Sequence, residues 1–188
     1  MRKLKLEMHM SIDGFVAGPK GQLDWVGTIA SDQAVGDFFS AMLDSSDTLI
    51  LGRKTAIEVV STWEDIADNK PDSPEYPVAK KIVKISKIAF SKSQSAISGR
   101  NVKVENGDLV TTVQALKNKP GKDILVYGGV RFVSDLISHN LIDEYHLLIN
   151  PVSLGDGLGI FKEKKSLELI KSIPFKNGIV LNTYVNAS

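Results

Sequence analysis

Short apolar runs alternate with amphipathic stretches along most of this chain, and only its C-terminal part departs from that order. Period-two alternation, or a short apolar run between turn residues, predicts strands near 3–10, 48–51, 87–91, 102–104, 124–127 and 145–150. Apolar residues at helical spacing predict helices at 32–44, 54–60, 78–84, 113–117 and 130–139. The proline-rich stretch 61–77 is interpreted as a loop, and 167–172 and 179–186 as strands around Asn177-Gly178.

This order of elements predicts an α/β fold. Strands that alternate with helices favour a mostly parallel central sheet with helices on both faces. The strand-rich tail favours antiparallel C-terminal strands added at one edge. Because the chain shows no repeat or linker, we expect a single domain over residues 1–188.

Composition excludes several classes of function. The 23 Lys and Arg residues nearly balance the 22 Asp and Glu residues, so we expect no long-range attraction to nucleic acid or to an anionic membrane. The chain has no cysteine, which rules out disulfides and thiol chemistry. It also lacks an apolar run of about 18 residues, so we expect no membrane span and a cytoplasmic location.

Two segments share one pattern, in which a buried strand is followed by glycine and then by the start of a helix. They occupy residues 49–55 and 125–131. A helix start offers unpaired N–H groups and a partial positive charge, and glycine lets a ligand approach the backbone, so such a turn can bind phosphate. The simpler interpretation is that each glycine only eases the turn. Two such segments, one followed by Arg53, Lys54 and Thr55, favour a shared pyrophosphate.

A third segment, Phe90-Ser91-Lys92-Ser93, lies at the end of a predicted strand. Its hydroxyls and its lysine would suit an adenosine 2′-phosphate, which selects NADPH over NADH. The alternative is an ordinary solvated strand end. The G-x-G-x-x-G motif of standard dinucleotide-binding folds is absent.

With these segments in this order, the sequence resembles the dihydrofolate reductase-like superfamily. It is most similar to the C-terminal reductase domain of bacterial bifunctional riboflavin-biosynthesis deaminase/reductases and to stand-alone proteins of that type. The features that carry this resemblance extend along nearly the whole chain: residues 10–17, Trp25, 51–55, Trp63, 127–129, 141–144, Pro151 and 155–157. The resemblance implies a three-layer α/β/α fold.

The resemblance also implies a cofactor, NADPH, and a role for each matching residue. Gly52, Arg53, Lys54 and Thr55 match the segment that binds the phosphates, and Ser91 and Lys92 match the strand end near the adenosine. Gly128, Gly129, Val130 and Arg131 match the turn at the nicotinamide and pyrophosphate, and Val16 and Ala17 match the residues that line the nicotinamide. The loop around Trp25 and the helix 32–44 would form the substrate side. A homodimer is implied too.

Hydride transfer to a heterocycle also requires a proton source. Folate reductases use a carboxylate on the first helix, and Asp37 lies one residue from the matching place. Asp13, beside Gly14, fits the riboflavin-type pattern Ser-x-Asp-Gly better. The competing interpretations are an exposed helix acid for Asp37 and a turn-forming aspartate for Asp13. His9 and His146 lie in predicted strands without metal-ligand spacing, and we expect no metal.

The leading hypothesis is an NADPH-dependent reductase of a pterin-like, folate-like or pyrimidine heterocycle of the riboflavin-precursor type. The alternative is an NADP(H)- or flavin-binding protein of the same fold without reductase activity. The sequence contains no zinc-ligand cysteines of a deaminase half. Both hypotheses require Gly52 and Gly128 to lie on the same side of the molecule.

Overall fold

A computed structural model describes residues 1–27 and 32–187. The strands are β1 Leu4–Ser11, β2 Ser46–Gly52, β3 Ser86–Phe90, β4 Val102–Glu105, β5 Asp123–Val126, β6 Glu144–Asn150, β7 Leu167–Pro174 and β8 Val180–Asn186. The helices are α1 Asp24–Gly27, α2 Gln33–Asp44, α3 Arg53–Asn69, α4 Tyr76–Lys84, α5 Leu109–Asn118 and α6 Val130–Ser138.

The strands form one eight-stranded sheet in the order β4-β3-β2-β5-β1-β6-β8-β7. Strands β1 to β6 pair in parallel, whereas β8 runs antiparallel to both β6 and β7. The predicted fold class is therefore confirmed, including the antiparallel C-terminal edge. The late strand β5 lies between β2 and β1, so the carboxyl ends of three central strands meet at one edge.

Helices cover both faces of this sheet and give the expected three layers. On one face, α5 and α6 pack on fully buried strand residues that include Leu4, Leu6 and Ile124. On the other face, α2, α3 and α4 pack on Leu49 and Leu51. Successive strand residues point to opposite faces, so the central strands are apolar on both sides.

Two helix boundaries differ from the sequence prediction by four residues or more. The stretch predicted as a loop from residue 61 continues α3 to Asn69, because Val59, Val60 and Ile66 are buried at helical spacing. Helix α5 begins at Leu109 rather than at Val113, because the Asp108 side chain accepts a hydrogen bond from Thr111 N at 2.9 Å and caps the helix. The expected Asp32 cap is present on α2, with Ala34 N 2.8 Å from its carboxylate.

In the part of the chain that the structure describes, no helix combines the length and the apolar character needed to cross a bilayer. The longest helix, α3, carries charged residues along its exposed side.

Candidate functional site

The two glycine turns lie side by side at the carboxyl edge of the sheet. Gly52 ends β2, and Gly128 and Gly129 follow the neighbouring strand β5. A Cβ atom placed on Gly129 would lie 3.5 Å from the Gly52 Cα and 3.3 Å from Thr55 Oγ1. The adjacency required by the sequence argument is therefore observed.

Both helices that leave these turns begin without a side-chain cap. Gly52 is the N-cap of α3 and Gly129 is the N-cap of α6, and neither first turn contains an acid. In contrast, α2 and α5 begin at Asp32 and Asp108, whose carboxylates accept backbone N–H groups. The N–H groups and helix dipoles of α3 and α6 therefore converge on one place, where an anion would be favoured.

The backbone at the second turn is one that only glycine adopts without strain. Gly128 and Gly129 have φ values of 85° and 96°. A Cβ on Gly128 would also lie 3.1 Å from Thr55 Cγ2. The two turns are thus packed tightly, and side chains at these positions would displace Thr55.

Positive charge surrounds the converging helix starts. Arg53 is half-buried, whereas Lys54 and Arg131 are exposed, and Val130 is half-buried at the start of α6. Exposed cations at a helix start can reach a bound anion without losing an existing partner.

At the end of β3, Ser91 shapes a turn. Ser91 is buried, and its hydroxyl accepts hydrogen bonds from Ser93 N at 3.2 Å and Gln94 N at 2.9 Å. Asn106 Nδ2 donates to the Ser91 carbonyl at 2.6 Å. The hydroxyl hydrogen is not used by these bonds, and Lys92 beside it is exposed.

The segment that was expected to line the nicotinamide is bonded through its backbone to the loop after β6. Val16 and Ala17 are both buried, and Val16 N donates to Leu158 O at 2.9 Å while Leu158 N donates to Ala17 O at 2.8 Å. This short antiparallel bridge fixes the loop after β1 against the loop after β6.

Asp13 joins the same two loops. Its carboxylate accepts hydrogen bonds from Ser153 Oγ at 2.7 Å, Leu154 N at 3.0 Å and Gly155 N at 2.7 Å. Hydrogen bonds from Ser11, Ser153 and the backbone hold the pKa of Asp13 well below its usual range. The side chain is thus an ion that ties two loops together, an arrangement unsuited to donating a proton.

The other proposed acid, Asp37, is exposed on α2 and accepts a hydrogen bond from Gln33 Nε2 at 2.8 Å. Trp25 lies in α1 and is buried. Two aromatic residues of α2 also face the sheet: the Phe38 ring lies 5.8 Å from His146, and the Phe39 ring stacks on Tyr127 at 4.8 Å. Sequence residues 28–31, which belong to the proposed substrate loop, lie outside the described ranges.

Beneath α2, the structure places an acid that sequence reasoning missed. Glu7 lies in the middle of β1 and is 5% exposed. In the register of the sheet it is the partner of His146 on β6, and it lies level with Tyr127 at the end of β5. Burial raises the pKa of Glu7 to about 8, so its carboxyl is largely protonated at neutral pH.

Glu7 also lies at a break in the sheet. Strand β5 pairs with β1 only as far as Leu6, whereas β1 and β6 remain paired up to Ser11 and Asn150. The edge of β1 from Glu7 onward therefore borders the space beneath the second glycine turn. Such a position, where neighbouring parallel strands part, is where α/β sheets usually bind ligands.

His9 lies two residues after Glu7 on the same face of β1, closer to the end of the strand. Its Nε2 lies 3.7 Å from Glu7 Oε1, and its Nδ1 lies 3.3 Å from Asn150 Oδ1. Burial lowers the pKa of His9, so the imidazole is neutral at neutral pH. Glu7 and His9 are therefore both uncharged under these conditions.

The sequence contained one signal for Glu7. Period two assigns it to the polar side of β1, which suggests exposure. However, a central strand of a parallel sheet is covered on both faces, so a charged residue in it must be buried. The buried acid was therefore implied once β1 was placed at the centre of the sheet.

Comparison with known proteins agrees with this architecture. The chain is 31% identical over 187 residues to the uncharacterized protein YyaP of Bacillus subtilis strain 168, which covers 97% of this chain and 94% of that protein. It superposes on a putative riboflavin biosynthesis protein from Shewanella sp. PV-4 with a TM-score of 0.76 at 24% identity, over the full length of both chains.

A second solved structure shows the same fold at lower similarity. This structure is dihydrofolate reductase from Enterococcus faecalis, complexed with NADP(H) and RAB-propyl, and it has a TM-score of 0.61 at 17% identity. The match covers 99% of this chain and 97% of that chain. The family model of the RibD C-terminal domain matches residues 2–181. The resemblance predicted from the motifs is thereby confirmed, and the chain belongs to the RibD C-terminal domain family.

Proposed function

We propose that this protein is an NADPH-dependent reductase that transfers a hydride to a pyrimidine-like, pterin-like or folate-like heterocycle. One observation carries the proposal: two uncapped helix starts meet at adjacent glycine turns beside a half-buried arginine. Membership of the RibD C-terminal domain family supports a reductase-type role, and the fold is shared with a dihydrofolate reductase that binds NADP(H).

The residues at the turns fit a dinucleotide pyrophosphate. Gly52 and Gly129 bring two sets of backbone N–H groups together. Because both residues are glycine, no Cβ atom stands between these N–H groups and a ligand. Arg53, Lys54 and Thr55 would bind one phosphate, and Gly128, Gly129, Val130 and Arg131 the other. Paired N–H groups and a guanidinium suit a diphosphate because both favour the charged ligand.

The preference for NADPH over NADH would come from the end of β3. Ser91 keeps a hydroxyl hydrogen after forming its turn, and Lys92 is exposed next to it. Together they would bind a 2′-phosphate. NADH lacks that group, so it would leave the charge of Lys92 unmatched.

The substrate would lie on the α2 side of the sheet. Val16 and Ala17 form a rigid edge at the expected nicotinamide position, and the aromatic rings of α2 supply an apolar surface suited to a flat heterocycle. When bound, NADPH would supply the hydride, and the protein would orient the two rings and exclude water. From the family resemblance we also propose that the protein is cytoplasmic and forms a homodimer. Analytical ultracentrifugation would measure its oligomeric state.

The second candidate function is dinucleotide or flavin binding without reduction. It is favoured by the positions of the two acids that the sequence suggested, because Asp13 is held as an ion and Asp37 faces solvent. NADPH binding without turnover of any heterocycle would support it, and a yellow purified protein would indicate a flavin.

The test is a fluorescence titration of the protein with NADPH and with NADH. Arg53→Ala is expected to weaken NADPH binding roughly tenfold to hundredfold, because a charge-assisted hydrogen bond contributes about 1.5–3 kcal/mol. Lys171→Ala removes an exposed cation on the distant edge strand β7 and is the matched control. Equal NADPH affinity in Arg53→Ala and the wild type would show that the phosphate site is misassigned.

Turnover is then measured as the loss of reduced-nicotinamide absorbance with three probes. These are dihydrofolate, dihydrobiopterin and 5-amino-6-(5-phosphoribosylamino)uracil, which represent the three heterocycle classes. Oxidation of NADPH with any of them, at a rate above the control without protein, supports the reductase. Tight NADPH binding with no oxidation by any probe supports the binding-only alternative.

A further inference from the structure

A row of polar side chains crosses the sheet beneath α2. Tyr127 from the end of β5, Glu7 from β1, and His146 from β6 occupy neighbouring positions on the same face. On β8, Thr183 continues the row, with its hydroxyl 3.2 Å from His146 Nδ1. Glu7 is the acid at the centre of this row.

We propose that Glu7 is the proton donor of the reaction, acting as a neutral carboxylic acid from the floor of the substrate site. This inference rests on the proposed reductase function and assigns the group that neither Asp13 nor Asp37 is placed to supply. It makes Glu7 a catalytic residue and His9 a positioning residue.

The surroundings of Glu7 favour the neutral acid. Among residues 1–27 and 32–187, no hydrogen bond to the Glu7 carboxyl is found, and the neutral imidazole of His9 lies with its Nε2 3.7 Å from Glu7 Oε1. Lys5, two residues away on the same face, is paired with Asp123 at 2.7 Å. A buried carboxylate without donors is costly, so the group retains its proton to a pH well above the usual range for glutamate.

The groups that face Glu7 from the neighbouring elements do not favour ionisation of its carboxylic acid. They are Lys5 and His9 from β1, Tyr127 from β5, His146 from β6, and the rings of Phe38 and Phe39 from α2. The imidazole of His146 is held neutral, because burial lowers its pKa. No cation among the described groups is therefore placed to ionise Glu7.

Glu7 lies on the part of β1 that leads toward the glycine turns. Its side chain retains 6% exposure and that of His9 retains 17%, on the edge of β1 that β5 has left. The glycine turn of the cofactor site begins directly after Tyr127, the residue level with Glu7. The proposed cofactor site and Glu7 are thus joined through Tyr127 and the turn that follows it.

The proposed step balances as follows. The O–H bond of the Glu7 carboxylic acid breaks, and the proton forms an N–H or O–H bond with the heteroatom of a C=N or C=O group in the heterocycle. The carbon of the same double bond takes the hydride from NADPH, which leaves as NADP⁺. Glu7, now a carboxylate next to the neutral His9, takes up one H⁺ from the solution, so each turnover consumes one NADPH and one H⁺.

The test compares Glu7→Gln with the wild type in three measurements. In wild-type protein with ¹³C-labelled glutamate carboxyls, one NMR signal is expected to titrate near pH 8, and Glu7→Gln should lack it. Turnover of the heterocycle that the wild type reduces should fall roughly a hundredfold or more in the variant. The wild-type rate should also decrease as the pH rises through about 8, and the residual rate of the variant should not.

Controls separate this proposal from the proposed function and from misfolding. Glu168→Gln removes an exposed strand carboxyl on β7 and should retain the wild-type rate. Glu7→Gln should bind NADPH with unchanged affinity, which also reports that it is folded. Glu7→Asp retains an acid and should keep the alkaline decrease at a lower rate.

Two results overturn the proposal: a Glu7 signal that titrates below pH 6, or turnover by Glu7→Gln within about threefold of the wild type. Either result leaves NADPH binding and the reductase function intact. If the wild type itself fails to bind NADPH, the proposed function fails, whatever the titration of Glu7 shows.

Discussion

Glu7 and Asp13 lie six residues apart, one within β1 and one just after it, and their carboxyl groups are in opposite states. Asp13 is exposed and receives a serine hydroxyl and two backbone N–H groups, and its pKa lies below the usual range. Glu7 is buried with no such donors among the described residues, and its pKa rises to about 8. Hydrogen-bond donors stabilise the ion at one position, and loss of water destabilises it at the other.

This difference assigns different roles to the two acids. A carboxylate that stays ionised through the neutral range can tie loops together, but it has no proton to give. A carboxylic acid with a pKa near the working pH can donate a proton and recover it. Within this short stretch of chain, solvation separates a structural acid from a chemical one.

The largest effect that sharpens the comparison concerns stability. Between about pH 4.5 and 8 the folded protein keeps the Glu7 proton while the unfolded chain has lost it, so the wild type loses roughly 1.4 kcal/mol of stability per pH unit from this group. Glu7→Gln lacks this loss. Its free energy of unfolding, relative to that of the wild type, should therefore increase by a few kcal/mol between pH 5 and pH 8. Urea unfolding of both proteins at each pH measures the difference.

Comparison at equal pH cancels the contributions of the other groups, and Glu168→Gln controls for the loss of one carboxyl. If the stability curves of Glu7→Gln and the wild type run parallel from pH 5 to pH 8, the Glu7 carboxyl is already ionised in the folded protein. The contrast with Asp13 would then disappear.

A smaller effect is expected for Asp13→Asn. The variant loses an anionic acceptor for Leu154 N and Gly155 N, so these amide hydrogens should exchange faster with solvent. Turnover should fall by less than about tenfold, through loosening of the loop that holds Val16, and the decrease near pH 8 should remain. Hydrogen exchange and a pH–rate profile measure both. Loss of turnover with unchanged exchange would instead make Asp13 the catalytic acid.

The sequence predicted most of the fold because the pattern of the buried strands is strong. Runs such as 48–51 and 124–127 are apolar on both faces, which only a central parallel sheet explains. The end of α3 was missed because the polar residues around Trp63 obscured its helical spacing, and the prolines that follow suggested an earlier stop. The glycine turns were found because a strand, a glycine and a helix start are all visible locally.

The proton donor was not found in this way, because its chemistry depends on contacts distant in sequence. The pKa of Glu7 is raised only in the folded protein, where α2 covers β1 and His146 of β6 lies beside Glu7. Asp13 appeared catalytic beside Gly14, but its donors come from residues about 140 positions later. Local sequence shows which groups are present, whereas the pKa of each depends on tertiary neighbours.

The smallest expected effect comes from His9→Gln, which tests whether Glu7 or its neighbour titrates. Burial is the cause of the raised pKa of Glu7, and it persists in the variant, so the decrease in rate near pH 8 should remain. The glutamine amide can still reach Asn150, so turnover should fall by roughly threefold to tenfold as proton recovery slows. A pH–rate profile in H₂O and D₂O measures both effects. If the decrease near pH 8 vanishes with His9, the imidazole is the titrating group and the contrast between the two carboxyls does not explain the chemistry.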